Sequence, residues 1–282
     1  MNAPALLIAA HGTRDPAGVS EAMEMVERVK SAAPDLAVEC GFLELASPGI
    51  PDALDALVGS GARDIVVFPS MLFAAGHTKN DVPSVIARQR LRHPGVRMRY
   101  ARNFGIDGDL LAVVGQRIGE VVPTAEREHT GVLLVGRGSS DPDANADLFK
   151  IARLVYEGCP CPFVEASFSG IARPFVPAGL ERCRRLGAQR LVVVPYFLFT
   201  GILPERIKAQ SAVFASEHPE MQVTMARHLW PDDRLARLVL ARYRERIGAN
   251  PIDGSPPPVV PTGDSHHHHA HAARPEELSR GS

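Results

Sequence analysis

The chain has 282 residues, 45% of them hydrophobic and 22% charged, with a formal net charge of -1. That length suits two α/β domains of ordinary size, and the balanced charge excludes a general polyanion binder and gives no pull toward an anionic membrane surface. No run approaches the roughly 20 apolar residues that span a bilayer, and the apolar run at residues 6–10 lacks the length and basic flank of a signal core, so a cytoplasmic protein without nucleic-acid or membrane partners is expected.

In chain order, short apolar runs predict strands at 6–10, 37–43, 64–69 and 96–101, with amphipathic helices at 19–33, 50–59, 82–92 and 108–121. Residues 123–130 are polar and helix-breaking, and read as a joint. Strands are predicted again at 132–136, 163–168, 190–195 and 222–227. From Asn250 onward come Pro251, Pro256, Pro257, Pro258 and Pro261, then His266, His267, His268, His269 and His271. Such a segment has nothing with which to build a core, and is expected to be disordered.

The second set of elements copies the first. A shift of 126 residues places Gly12, Asp15 and Pro16 on Gly138, Asp141 and Pro142, Ala46 and Pro48 on Ala172 and Pro174, and Leu72-Phe73 on Leu198-Phe199. Beyond Gly76 the shift is 125, which superposes His93-Pro94 on His218-Pro219 and Ala101-Arg102 on Ala226-Arg227. Alternating strands and helices, repeated once, predict two similar four-stranded parallel-sheet α/β domains related by a pseudo-twofold and facing across a cleft. The expected division is 1–124, carrying the active site, 130–248, its duplicate, and the tail 249–282. The chain is expected to be a monomer whose halves pack as a pseudo-dimer.

Ligands of open parallel sheets bind beyond the carboxyl ends of the strands. His11 follows the first predicted strand and His77 the third, beside Gly12 and Gly76, which are expected to let the backbone turn sharply. The second copy has Arg137 in place of His11 and Ile202 or Leu203 in place of His77. A requirement of the fold would appear twice, so the pair marks chemistry retained in one copy. Two imidazoles leave coordination positions open, as suits a metal that is bound and released, and each accepts a proton near neutral pH. Cys40, Cys159, Cys161 and Cys183 read as structural thiols, because Cys159-Pro160-Cys161 is one residue short of the C-x-x-C spacing.

Ala10-His11-Gly12-Thr13-Arg14-Asp15-Pro16 and Gly76-His77-Thr78-Lys79-Asn80-Asp81-Val82-Pro83 resemble the two histidine motifs of the class II chelatases, and over residues 5–247 the chain resembles the long, internally duplicated sirohydrochlorin chelatases of the cobalamin and sirohaem pathways. The resemblance implies ATP-independent insertion of Co²⁺, or else Fe²⁺, into sirohydrochlorin. His11 and His77 would bind the metal and accept pyrrole protons, the metal would be a substrate, and no cofactor would be required. No G-x-x-x-x-G-K-[ST] nucleotide loop appears. The second histidine pair of the symmetric family form is missing, and Cys159-Pro160-Cys161 does not reproduce an iron–sulfur motif. Against a polycarboxylate substrate, Arg14, Lys79, Arg137 and Arg206, with Arg173 and Lys208, are the expected cations, Arg137 foremost. Asp15 and Asp81 read as helix caps or as partners that orient histidine.

Two other functions fit parts of the sequence. A histidine phosphatase also uses a strand-end histidine, but places an arginine before it where this chain has Ala10. A metal-storage or delivery protein would work through His266, His267, His268, His269 and His271.

Overall fold

The computed structural model describes residues 3–248. In chain order these form β1 (Ala5–Ala10), α1 (Pro16–Ala32), β2 (Val38–Phe42), α2 (Ile50–Gly59), β3 (Asp64–Ser70), a π-turn (His77–Asp81) running into α3 (Val82–Arg92), β4 (Arg97–Tyr100) and α4 (Gly108–Val121). A 3-10 turn (Thr124–His129) makes the joint. It leads into β5 (Thr130–Gly136), α5 (Pro142–Gly158), β6 (Val164–Phe168), α6 (Val176–Arg185), β7 (Arg190–Pro195), α7 (Ile202–Glu217), β8 (Gln222–Met225) and α8 (Asp233–Gly248). The histidines His266 to His269 and His271 lie outside the described residues.

Two wholly parallel four-stranded sheets result, ordered β2-β1-β3-β4 and β6-β5-β7-β8. β1 and β5 are buried along their whole length, since each face is covered by helices, and this is why they read as unbroken apolar runs. Along β1, Leu6, Ile8 and Ala10 point to one face while Ala5, Leu7 and Ala9 point to the other. The outer faces are closed by α2 and α3 on the first sheet and by α6 and α7 on the second. Asp15 and Asp141 cap α1 and α5 by accepting the Ala17 and Asp143 N–H groups, and each is followed by a proline at the first helical position.

The inner faces share a single core. It combines Leu6, Ile8 and Val66 of the first sheet with Val132, Leu134 and Val192 of the second, and α1, α4, α5 and α8 fill the space between. Here the layers depart from the order of the chain, because the last helix of each copy packs on the other copy's sheet. α4 lies against β7, and α8 lies against β3.

Two buried arginines fasten this exchange. From α4, Arg117 donates to the carbonyls of His228, Leu229 and Pro231 at 2.9, 2.6 and 2.7 Å. From α8, its equivalent Arg242 donates to the Asn103 and Phe104 carbonyls at 3.2 and 2.7 Å and to the Asp107 carboxylate at 2.8 Å. On the surface Arg102 pairs with Glu245 and Arg227 with Glu120, the same exchange in mirrored positions. One half therefore supplies part of the other's core, and the strand ends of both are held toward each other.

Candidate active site

β1 and β3 are neighbours, with Ala10 opposite Ser70, so the turns that follow them share one edge of the first sheet. His11 is the first residue past β1. Its backbone is strapped to the loop after β2: Leu43 donates to the Ala10 carbonyl at 2.8 Å and Glu44 to the His11 carbonyl at 3.1 Å. Gly12 makes this approach possible. It has φ 92°, and a Cβ there would lie 1.8 Å from the Glu44 carbonyl oxygen.

That strap brings a carboxylate to the imidazole. Glu44 Oε1 lies 3.6 Å from His11 Nε2, with both side chains partly exposed. His11 Nδ1 lies 3.1 Å from the Gly12 carbonyl. A proton on Nδ1 satisfies that oxygen and leaves the ring's lone pair on Nε2. Arg137 Nη1 stands 3.4 Å from the same Nε2, so the ends of β1 and β5, and with them the two sheets, meet at this point.

The second copy repeats the scaffold without the imidazole and the carboxylate. Gly138 has φ 85°, Ser169 donates to the Gly136 carbonyl at 2.8 Å, and Gly170 to the Arg137 carbonyl at 3.2 Å. Arg137 replaces His11, and Gly170 replaces Glu44. Sequence reasoning passed over Glu44, although the same comparison of copies that singles out His11 applies to it.

His77 opens the π-turn between β3 and α3. Such turns are rare and tend to occur at functional sites. Thr78 is buried and its hydroxyl reaches Met71 Sδ at 3.0 Å and the Phe73 carbonyl at 3.3 Å. Tyr100 donates to the Thr78 carbonyl at 2.9 Å, and burial raises the pKa of its phenol well above the usual value, so the donor persists. Gly76 differs from expectation: its φ is not positive, and a Cβ there would meet nothing.

The predicted cations have separate surroundings. Lys79, two residues past His77, crosses to the second half and pairs with Asp141 at 2.6 Å and Asp143 at 3.5 Å. The hydrogen bond with Asp141 raises the lysine pKa and lowers that of Asp141, so both stay charged. Lys79 thus ties the histidine-bearing turn to the N-terminus of α5. Arg14 is exposed in the β1–α1 turn, Arg206 and Lys208 are exposed on α7, and Arg173 lies over the Phe175 ring at 5.1 Å. Asp15 is a helix cap, whereas Asp81 makes no cap bond with its side chain.

Cys40, Cys161 and Cys183 are buried and Cys159 is half-buried, and no disulfide joins them. A hydrogen bond from Cys161 lowers the pKa of the Cys159 thiol. Among the described residues no group of three or more His, Cys, Asp or Glu side chains is placed to hold a metal ion, and no helix is long and apolar enough to cross a membrane.

Comparison with known proteins places the chain by family and by fold. The family model described as CbiX matches residues 5–121 and again 131–246. The sirohydrochlorin cobaltochelatase of Priestia megaterium is 36% identical over 86% of this chain and 79% of its own length. The sirohydrochlorin ferrochelatase of Bacillus subtilis is 33% identical over 78% of this chain and 84% of its own length. Among solved structures, SirB from Bacillus subtilis with Fe³⁺ aligns with a TM-score of 0.78 at 32% identity, covering 87% of this chain and 96% of that one. SirB from Bacillus subtilis subspecies spizizenii in complex with cobalt aligns with a TM-score of 0.72 at 30% identity, covering 86% of this chain and 95% of that one.

Proposed function

The chain belongs to the CbiX family, and from that premise we propose that it inserts a divalent metal into sirohydrochlorin, with His11, His77 and Glu44 handling the metal and the pyrrole protons. The observation that carries the assignment is the position of His11 Nε2, between Glu44 at 3.6 Å and Arg137 at 3.4 Å where the two sheets meet. Insertion exchanges two N–H protons for a dication. The site must therefore attract a cation, let it go, and take up protons.

An imidazole and a carboxylate supply each of these. Together they attract a dication without enclosing it, since a permanent structural site closes four ligands around its ion. Once the metal leaves, the same lone pairs are free for protons, and imidazole exchanges them readily near neutral pH. Arg137 gives the site an order of events. A guanidinium at 3.4 Å from Nε2 opposes a metal there, whereas a macrocycle carboxylate draws it away in a charge-assisted pair. Binding of the tetrapyrrole then opens the imidazole to the metal.

We propose Co²⁺ as the metal and Fe²⁺ as its competitor. Affinities of nitrogen ligands rise from Fe²⁺ through Co²⁺ to Ni²⁺, so two imidazoles do not choose by themselves. Storage through the terminal histidines and phosphatase chemistry have no counterpart among the relatives described above.

The test is anaerobic mixing of sirohydrochlorin with Co²⁺, Fe²⁺ or Ni²⁺, without ATP, followed by absorbance. Insertion of Co²⁺ well above the uncatalysed rate is expected, and no acceleration with any of the three metals rules the proposal out. In the same assay Arg137→Ala is expected to weaken binding of the metal-free macrocycle. Loss of one charge-assisted contact is worth roughly 1.5 to 3 kcal/mol, or about ten- to a hundredfold. An unchanged dissociation constant would remove Arg137 from the binding site.

A further inference from the structure

Leu45 has φ 63° and Ile171 has φ 61°, and they are the only non-glycine residues with positive φ among the described residues. The 126-residue repeat makes them equivalent. Each sits in the loop that follows an edge strand, β2 or β6. In the left-handed region an L-residue crowds its Cβ against its own carbonyl, and a β-branched residue such as isoleucine suffers most. Ala172 donates to the Gly170 carbonyl at 2.6 Å, closing a three-residue turn around Ile171.

Packing does not account for the choice of side chain. Leu45 is 48% exposed and Ile171 63%. Glycine would relieve the strain, and neither side chain repays it with burial.

Both residues adjoin the candidate site. Leu45 follows Glu44, whose amide holds the His11 carbonyl, and Ile171 follows Gly170, whose amide holds the Arg137 carbonyl. Because His11 and Arg137 meet at 3.4 Å, the two loops flank one opening. The copies have diverged at the metal-handling positions, His11 against Arg137 and Glu44 against Gly170, yet both keep an aliphatic side chain in the same strained conformation. What the two halves would still have in common is a macrocycle held between them, a conjugated ring with apolar faces and carboxylates at its rim.

We propose that Leu45 and Ile171 are the apolar grips of the substrate site, one from each half, pressed against the ring while the rim carboxylates go to Arg137 and its neighbours. This rests on the sirohydrochlorin assignment above. Their exposure in the unliganded protein is the feature that binding covers, and it supplies the hydrophobic share of the affinity.

The experiment titrates metal-free sirohydrochlorin into the parent protein and into Leu45→Gly, Ile171→Gly and the double variant, and compares melting temperatures. Each glycine variant is expected to bind about tenfold more weakly, as follows from losing one buried aliphatic contact, with KM for the macrocycle rising by the same factor. Relief of left-handed strain should hold Tm or raise it by about 2 to 4 °C. Leu45→Ala and Ile171→Ala should bind as weakly as the glycine variants while melting below them. Unchanged binding in the glycine variants, or a fall in their melting temperature, overturns the inference and leaves the chelatase assignment standing. Failure of the parent protein to bind sirohydrochlorin overturns both.

Discussion

His11→Ala is expected to lower the rate of metal insertion by about 10²- to 10⁴-fold, the range typical of losing a positioned proton-transfer group, while the protein stays folded. The side chain is only partly buried, and its ring meets the neighbouring Gly12 carbonyl and the side chains of Glu44 and Arg137. What holds the turn is backbone, through the Leu43 and Glu44 amides, and the substitution leaves that intact. His77→Ala, at the head of the π-turn on the adjacent strand's side, should have an effect of the same order. Glu44→Gln keeps the shape but removes the charge beside Nε2, so its loss should be greatest when metal is scarce. Initial rates at limiting and saturating Co²⁺, with melting temperatures for each variant, test the set. A His11 or His77 variant that turns over at the parent rate with saturating metal rules out that histidine as a shared metal and proton site.

The fold was legible because the information was written twice. Apolar runs such as Leu6–Ile8 and Val132–Val135 announce strands covered on both faces, and the constant shift between copies fixes which strands correspond. Helices α2, α3 and α4 begin and end where periodicity places them, helped by caps such as Asp107. What could not be read was which sheet each terminal helix covers. An amphipathic stripe shows that α4 has a buried face but not whose strand lies beneath it, and here that strand is β7. One trace was available: the 125-residue shift also places Arg117 on Arg242 and Glu120 on Glu245, so a charged residue recurs inside each apolar stripe.

The residues of the candidate site could be singled out in part for the same reason. His11 and Arg137 stood out because the copies differ there within otherwise matching motifs. Glu44 also differs between copies, but it lies in a loop where Leu43, Glu44 and Leu45 face Ser169, Gly170 and Ile171, and no match on either side drew attention to it. Lys79 shows the opposite limit. Its place beside the second histidine motif suggested a substrate contact, yet only the packing of the halves reveals that Asp141 already engages it.

Arg242→Met is expected to destabilise the protein by about 3 to 5 kcal/mol, the usual cost of removing one partner from a buried charged network, and to lower Tm on the order of 10 °C. Methionine fills similar space, so the loss comes from electrostatics and hydrogen bonding rather than from a cavity. The Asn103 and Phe104 carbonyls and the Asp107 carboxylate would each lose a donor. Because these groups lie in the first half and Arg242 in the second, the damage should loosen the fit of α8 on β3 and, through it, the approach of the two sheets. The pH dependence reports the carboxylates that Arg242 engages, Asp107 and, at 2.9 Å, Glu245. Burial would raise the Asp107 pKa, but the Arg242 guanidinium and the Asp109 amide outweigh it and hold the carboxyl below its ordinary value. A depressed carboxylate contributes stability that is present above the unfolded pKa of about 3.9 and lost as pH falls through the folded value. The gap between parent and variant should therefore be widest above about pH 5 and narrow in acid. Denaturant unfolding of both proteins across that range checks it: a difference below about 1 kcal/mol at neutral pH, or one that does not shrink in acid, would show that Asp107 and Arg242 do not clamp the exchanged helix.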